Sequence, residues 1–260
     1  MRAWHSPQRG ATFPRNSHEA VFTLLAGHVT PNAERPRTRV KICGITRAGD
    51  ARAAADAGAD AIGLVFWPGT PRVVTHAQAR SIVAALPPYV SVVGLFVDPE
   101  AQAVREALAA VPIDVLQFHG SEPAPFCRAF GRRYVKAIAV RDDVDLLESL
   151  SPYDDAAGLL FDAFRAGDLP GGTGRVFDWR RLSADWRARL RAPLILSGGL
   201  DADNVERAIR AVAPWAVDVS SGVEERASDG TPRRGVKDAT RIRAFVQGVR
   251  SADGGAFPST

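Results

Sequence analysis

The stretch Val40-Lys41-Ile42-Cys43-Gly44-Ile45-Thr46 decides how this chain folds. An apolar run with one lysine reads as a short strand, the glycine ends it, and the threonine is expected to cap a following helix. A cysteine buried in mid-strand is inert. One at the carboxyl end of a strand, beside a turn, can face a pocket and act as nucleophile or base.

Outward from Cys43 a regular alternation follows, of short β-branched or apolar runs and Ala/Leu/Arg-rich amphipathic segments. The runs predict strands over 39–43, 60–66, 90–97, 115–118, 134–138, 158–162, 193–197 and 216–220. The segments between predict helices near 49–57, 75–85, 99–109, 123–130, 142–150, 178–190, 203–212 and 237–250. Eight such units match the α/β class and, within it, a (β/α)₈ barrel over residues 39–250. A doubly wound open sheet is the competing architecture, but it calls for a dinucleotide fingerprint after its first strand, and Cys-Gly-Ile-Thr is not one. Residues 1–38 hold five arginines and three histidines with no sustained period, and are expected to form a flexible extension or to reflect an overlong start. Residues 251–260 are expected to be a C-terminal tail.

Composition narrows the function. The chain has 260 residues, 46% of them apolar, enough for one large domain. No apolar run approaches the roughly 20 residues that span a bilayer, and the run at 21–25 lacks a cleavage site, so a cytoplasmic protein without membrane contact is expected. Two cysteines, Cys43 and Cys127, stand outside any metal-ligand spacing, so neither a disulfide framework nor a metal site is expected. The formal charge of +4 is spread without aromatic interleaving, which speaks against a nucleic-acid groove. Within it lie 30 arginines but only three lysines, Lys41, Lys136 and Lys237. An exposed cation tolerates either type, whereas a narrow site distinguishes a compact ammonium from a planar guanidinium, so the lysines are candidates for site positions.

In a barrel the chemistry sits at the carboxyl ends of the strands. There the chain offers Cys43, the loop from Phe66 to Arg72, Asp98, Gln117-Phe118-His119-Gly120, Asp162, Ser197-Gly198-Gly199 and Ser220-Ser221-Gly222. The glycine and serine turns after strands seven and eight suit a phosphate, since uncrowded backbone N–H groups favour an anion. Alternation adds a further expectation. If Cys43 and Ser220 face inward, so do Lys41 and Asp218; lone buried charges are costly, so the two are expected to pair where strand eight closes on strand one.

The strings Lys41-Ile42-Cys43-Gly44-Ile45-Thr46, Gly63-Leu64-Val65-Phe66, Leu116-Gln117-Phe118-His119-Gly120, Gly171-Gly172-Thr173-Gly174 with Phe177-Asp178-Trp179, Leu196-Ser197-Gly198-Gly199 and Asp218-Val219-Ser220-Ser221-Gly222-Val223-Glu224 resemble the phosphoribosylanthranilate isomerase family of tryptophan biosynthesis, in order, from Arg39 to about Val249. The resemblance implies an Amadori rearrangement of N-(5'-phosphoribosyl)anthranilate to the 1-deoxyribulose phosphate, without metal or organic cofactor. It implies Cys43 as the base that takes the sugar C2 proton and Asp162 as the acid at the ring oxygen. It implies Arg72 on the anthranilate carboxylate, and phosphate contacts at Gly198, Gly199, Ser221 and Gly222, with His119 and Asp218 further substrate-binding candidates. Asp178 is expected to cap a helix rather than touch substrate, and Cys127 to be core. The implied partner is a small phosphorylated molecule; nothing points to an obligate protein partner. Two other readings are a related sugar-phosphate isomerase of histidine biosynthesis, which carries aspartate where Cys43 stands, and a phosphate-binding barrel without catalysis.

Overall fold

The structure, a computed structural model, describes residues 37–140, 150–163, 178–182 and 184–254. Eight parallel strands form a closed barrel in chain order: β1 (Arg39–Cys43), β2 (Ala61–Val65), β3 (Ser91–Phe96), β4 (Val115–Phe118), β5 (Arg133–Val140), β6 (Gly158–Ala163), β7 (Leu194–Leu196) and β8 (Ala216–Val219). β8 closes on β1 with Lys41 opposite Asp218. Around them lie α1 (Ala48–Ala57), α2 (His76–Ala84), α3 (Ala101–Ala110), α4 (Ala124–Cys127), α5 (Ala184–Arg187), α6 (Val205–Val212) and α7 (Ala239–Ala252). Most of the predicted helix 142–150, the Gly171–Gly174 string and Phe177 lie outside the described residues.

Period two along the strands divides their side chains between two cores. Val40 and Ile42, Leu116 and Phe118, Leu159 and Phe161, and Val217 and Val219 pack outward against the helices. Val135, Ala137 and Leu160 fill the barrel interior, and Cys43, Val65 and Leu95 form a separate layer near its mouth. Helices meet the sheet by apolar stripes, as in α6, where Val205, Ala208, Ile209 and Val212 are buried at helical spacing. Among the described residues no helix is long and apolar enough to cross a membrane.

Four local readings are corrected. Thr46 does not cap α1: its hydroxyl donates to the Gly235 carbonyl, and the N-cap position belongs to Arg47. The helix expected over 123–130 closes after Cys127, and that expected over 178–190 is a 3₁₀ turn, Trp179–Leu182, followed by the single turn of α5. The segment after β8 folds into an antiparallel hairpin, β9 (Glu224–Arg226) and β10 (Pro232–Lys237), so Lys237 ends a strand and α7 begins only at Ala239. Asp178 does cap the 3₁₀ turn, its carboxylate accepting from the Arg180 N–H. Near the ends of the described chain, the Thr38 N–H and hydroxyl both donate to Asp253, at 2.7 and 2.8 Å, tying the residue before β1 to the residue after α7.

Candidate active site

At the carboxyl mouth of the barrel, Cys43, Asp162, His119, Asp218, Arg72 and Gln117 line one pocket, brought there from four strands, β1, β4, β6 and β8, and the loop after β2. Each inward position follows from the alternation: Lys41 and Cys43 on β1, Asp218 and then Ser220 on β8, Gln117 and then His119 on β4. Room beside the thiol comes from Gly63, opposite Cys43 on β2, where a Cβ atom would lie 2.7 Å from Sγ. Trp67, Val65 and Leu95 pack next to the thiol as an apolar wall.

Lys41 Nζ donates to Asp218 Oδ1 at 2.8 Å, both side chains buried. Burial pulls the lysine's pKa down, but the facing carboxylate outweighs it and the net shift is upward. For Cys43, burial pushes the thiol up; Lys41 pulls it down, Asp218 pushes again, and the sum is a raised pKa. The thiol is therefore held protonated at neutral pH, and its thiolate is a minor form.

Across the pocket, His119 Nε2 lies 3.3 Å from Asp162 Oδ2, and His119 Nδ1 is 3.1 Å from the Gln117 side-chain amide nitrogen. With that amide donating to Nδ1, the ring proton sits on Nε2 and is directed at Asp162. The β4 loop that carries His119 is fixed by a buried pair. Lys136 Nζ donates to the Gly120 carbonyl at 2.6 Å and to Glu122 Oε2 at 2.9 Å, while Glu122 accepts from the Gly120 and Asp98 N–H groups. Gly198 packs against this half of the site: a Cβ there would lie 2.5 Å from the Ala163 backbone nitrogen and 2.8 Å from Asp162 Oδ1, so the glycine makes room for the end of β6.

Beside the pocket, Gly199, Ser221 and Gly222 line a hollow of about 250 Å³ with Arg72, Glu224 and the hairpin. Gly222 is required by packing, since a Cβ would meet the Leu200 carbonyl oxygen at 2.0 Å. Among the described residues Arg72 is the buried arginine, 6% exposed. Its Nε and Nη2 donate to the two Glu224 oxygens at 2.7 and 2.8 Å, a bidentate fork. Lys237 Nζ reaches the same carboxylate at 3.2 Å and the Ser220 carbonyl at 2.9 Å. Burial pushes Glu224 up, yet the Arg72 hydrogen bond and the Lys237 charge carry it net below the usual carboxylate range. Burial, aided by the Arg72 charge, pulls Lys237 down to about 8.

Glu224 and Gln117 carry no sequence-based expectation of a role, and Lys237 only that of a site position. The signal for Lys237 was present: all three lysines of this arginine-rich chain are buried and paired, Lys41 with Asp218, Lys136 with Glu122 and Lys237 with Glu224. Cys127 is buried core as expected, its thiol pushed by burial to about 11.

A closed (β/α)₈ barrel with polar and ionisable side chains gathered in a pocket at the carboxyl ends of its strands is the architecture of a barrel enzyme. Residues 40–248 match the family model of N-(5'phosphoribosyl)anthranilate (PRA) isomerase. The N-(5'-phosphoribosyl)anthranilate isomerase of Alcanivorax borkumensis is 51% identical over 213 residues, 82% of this chain and 95% of that protein. The Nitrosococcus oceani protein of the same name is 50% identical over 217 residues, 84% of this chain and all of its own. Among solved structures, phosphoribosyl anthranilate isomerase from Thermotoga maritima superposes with a TM-score of 0.73 at 38% identity, over 82% of this chain and 99% of that one. Another, in complex with reduced 1-(o-carboxyphenylamino)-1-deoxyribulose 5-phosphate, gives 0.70 at 38% identity over the same shares. The chain belongs to the N-(5'-phosphoribosyl)anthranilate isomerase family, the isomerases of tryptophan biosynthesis.

Proposed function

We propose that Cys43 and Asp162 carry the two proton transfers of the isomerisation, with the barrel of residues 39–250 as the complete catalytic unit. The protonated Asp162 gives its proton to the furanose ring oxygen as the anilino nitrogen lone pair opens the ring to a Schiff base. The Cys43 thiolate then takes the C2 proton, and the electron pair moves into the C1–C2 bond to give an enolamine. The enol hydroxyl proton passes to the Asp162 carboxylate and C1 takes a proton from the Cys43 thiol, which yields the ketone and restores both groups. Each such transfer is worth about 10² to 10⁴ in rate. The observation that carries the assignment is that Cys43 and Asp162, from strands β1 and β6, line one pocket.

The remaining roles follow the chemistry of each side chain. Glu224 occupies the Nε–Nη2 edge of Arg72, so a substrate carboxylate meets the Nη1–Nη2 edge, a second fork for bidentate binding. Trp67, Val65 and Leu95 offer an apolar wall to the aryl ring. Gly199, Ser221 and Gly222 take the phosphate, while Gly198 serves the Asp162 side. His119 acts through Asp162, its Nε2–H stabilising the carboxylate left after proton donation, and Asp218 acts through Lys41 on the thiol. A charged phosphate ester does not cross a bilayer, which supports work in the compartment that forms the substrate, read here as the cytoplasm.

Turnover of phosphoribosylanthranilate, followed as loss of its anthranilate-type fluorescence, tests the assignment. Asp162→Asn should lose about 10²-fold or more in kcat while still binding inorganic phosphate. Near-normal turnover in that variant would mean that another group donates the proton.

A further inference from the structure

The hairpin after β8 is built around an irregularity. Pro232 pairs with Arg226 and Lys237 with Glu224, so β10 advances five residues while β9 advances two, and the surplus forms a bulge. The bulge is fixed from within: Gly235, at φ +84°, donates its N–H to Glu224 Oε1 at 2.9 Å, and its carbonyl accepts from Thr46. Bulges next to active sites commonly re-aim a side chain. Here the bulge separates two adjacent arginines. Arg233 turns to Glu225 and pairs with it at 2.7 Å, whereas Arg234 joins Arg226 at the edge of the hollow formed by Gly199, Ser221 and Gly222.

The charges around that hollow do not cancel. Two carboxylates line it, and both are engaged: Glu224 holds Arg72 and Lys237, and Asp201 accepts from the Asp203 and Asn204 N–H groups at the start of α6. Arg226 spends one N–H on the Gly230 carbonyl, at 3.0 Å, and keeps its charge. Arg226 and Arg234 thus add two exposed cations to a hollow that Gly199, Ser221 and Gly222 line together with Arg72 and the two engaged carboxylates.

We propose that Arg234, assisted by Arg226, is a further phosphate ligand of this enzyme: a side-chain clamp, supplied by the β9–β10 hairpin, over a site whose floor is made of glycine and serine turns. A guanidinium beside a phosphate gives paired, charge-assisted hydrogen bonds that a backbone site lacks. The clamp binds the end of the substrate remote from the reacting carbons. It therefore acts on ground state and transition state alike and shows in KM rather than in kcat. The inference rests on the reading of the hollow as the phosphate site.

Binding of inorganic phosphate to the full chain, measured by titration calorimetry at fixed ionic strength, tests it alongside KM for phosphoribosylanthranilate. Arg234→Gln should raise the phosphate Kd and the KM about fivefold, and Arg226→Gln with Arg234→Gln about tenfold, with kcat within about twofold. Arg234→Lys should recover part of the loss because the charge remains. Arg233→Gln, on the other side of the bulge, should change neither constant. Phosphate binding by the wild-type chain that Arg234→Gln leaves within twofold overturns the clamp alone. A wild-type chain that binds no phosphate overturns both the clamp and the phosphate reading of the hollow.

Discussion

Lys41 and Asp218 face each other where β8 closes on β1, joined at 2.8 Å inside the barrel and directly below the Cys43 pocket. The pair answers an otherwise unmatched buried charge on each strand, and it also sets the chemistry above it. A lone ammonium two residues from Cys43 would pull the thiol toward ionisation; with Asp218 attached the pull is offset, and burial leaves the thiol raised.

The pH dependence follows with its sign. The base acts as thiolate, so a raised pKa moves the active fraction to higher pH. Alkylation reads the thiolate alone, so the rate at which iodoacetamide inactivates the enzyme should climb from pH 6 through about 8.5, the ordinary thiol value, without levelling there. A plateau reached by pH 7 would show that the thiol is not raised.

Glu224 stands between the mouth pocket and the hollow, holding Arg72 by two hydrogen bonds and Lys237 by a third. Glu224→Gln leaves two buried cations around a neutral amide, so thermal unfolding should show a loss of about 3 to 5 kcal/mol. The KM should rise as Arg72 is released. An unchanged Tm together with an unchanged KM would place Arg72 outside the binding machinery.

Gly63 tests the steric part of the site. An added methyl group would lie 2.7 Å from Cys43 Sγ and 3.1 Å from Lys41 Cε, on the pocket side of β2. Gly63→Ala should therefore displace the thiol and cost up to about 10²-fold in kcat, with phosphate binding intact, because misplacement of a reacting group by about 1 Å has that scale. Retention of full turnover would mean that the thiol's position is not critical.

The barrel was legible because each strand is a short apolar run between amphipathic segments: Arg39–Cys43 and Val115–Phe118 fall where the sequence places them, and the Lys41–Asp218 pair was deducible from parity and closure alone. The hairpin was not legible. Glu224–Arg226 and Pro232–Lys237 are polar strands, exposed at Arg226 and over 232–234, without apolar alternation, and their register is broken by the bulge at Gly235. For the same reason Thr46 read as a helix cap, whereas its partner is a carbonyl 189 positions away in that hairpin. Arg72 was placed at the site by motif, but its carboxylate partner lay in the same unreadable segment. Of the lysines, Lys136 is the least expected: it faces the helices, where it fastens the loop that carries His119.

The central claim is that Cys43 is the base, and the turnover of Cys43→Ser at pH 8 measures it most directly. Serine keeps the shape of the side chain but does not ionise in this range, so kcat/KM should fall by about 10²-fold or more, with inorganic phosphate still bound as in the wild type. Retention of more than about a tenth of wild-type kcat/KM would contradict the assignment, since a base with the usual contribution is not replaced so lightly.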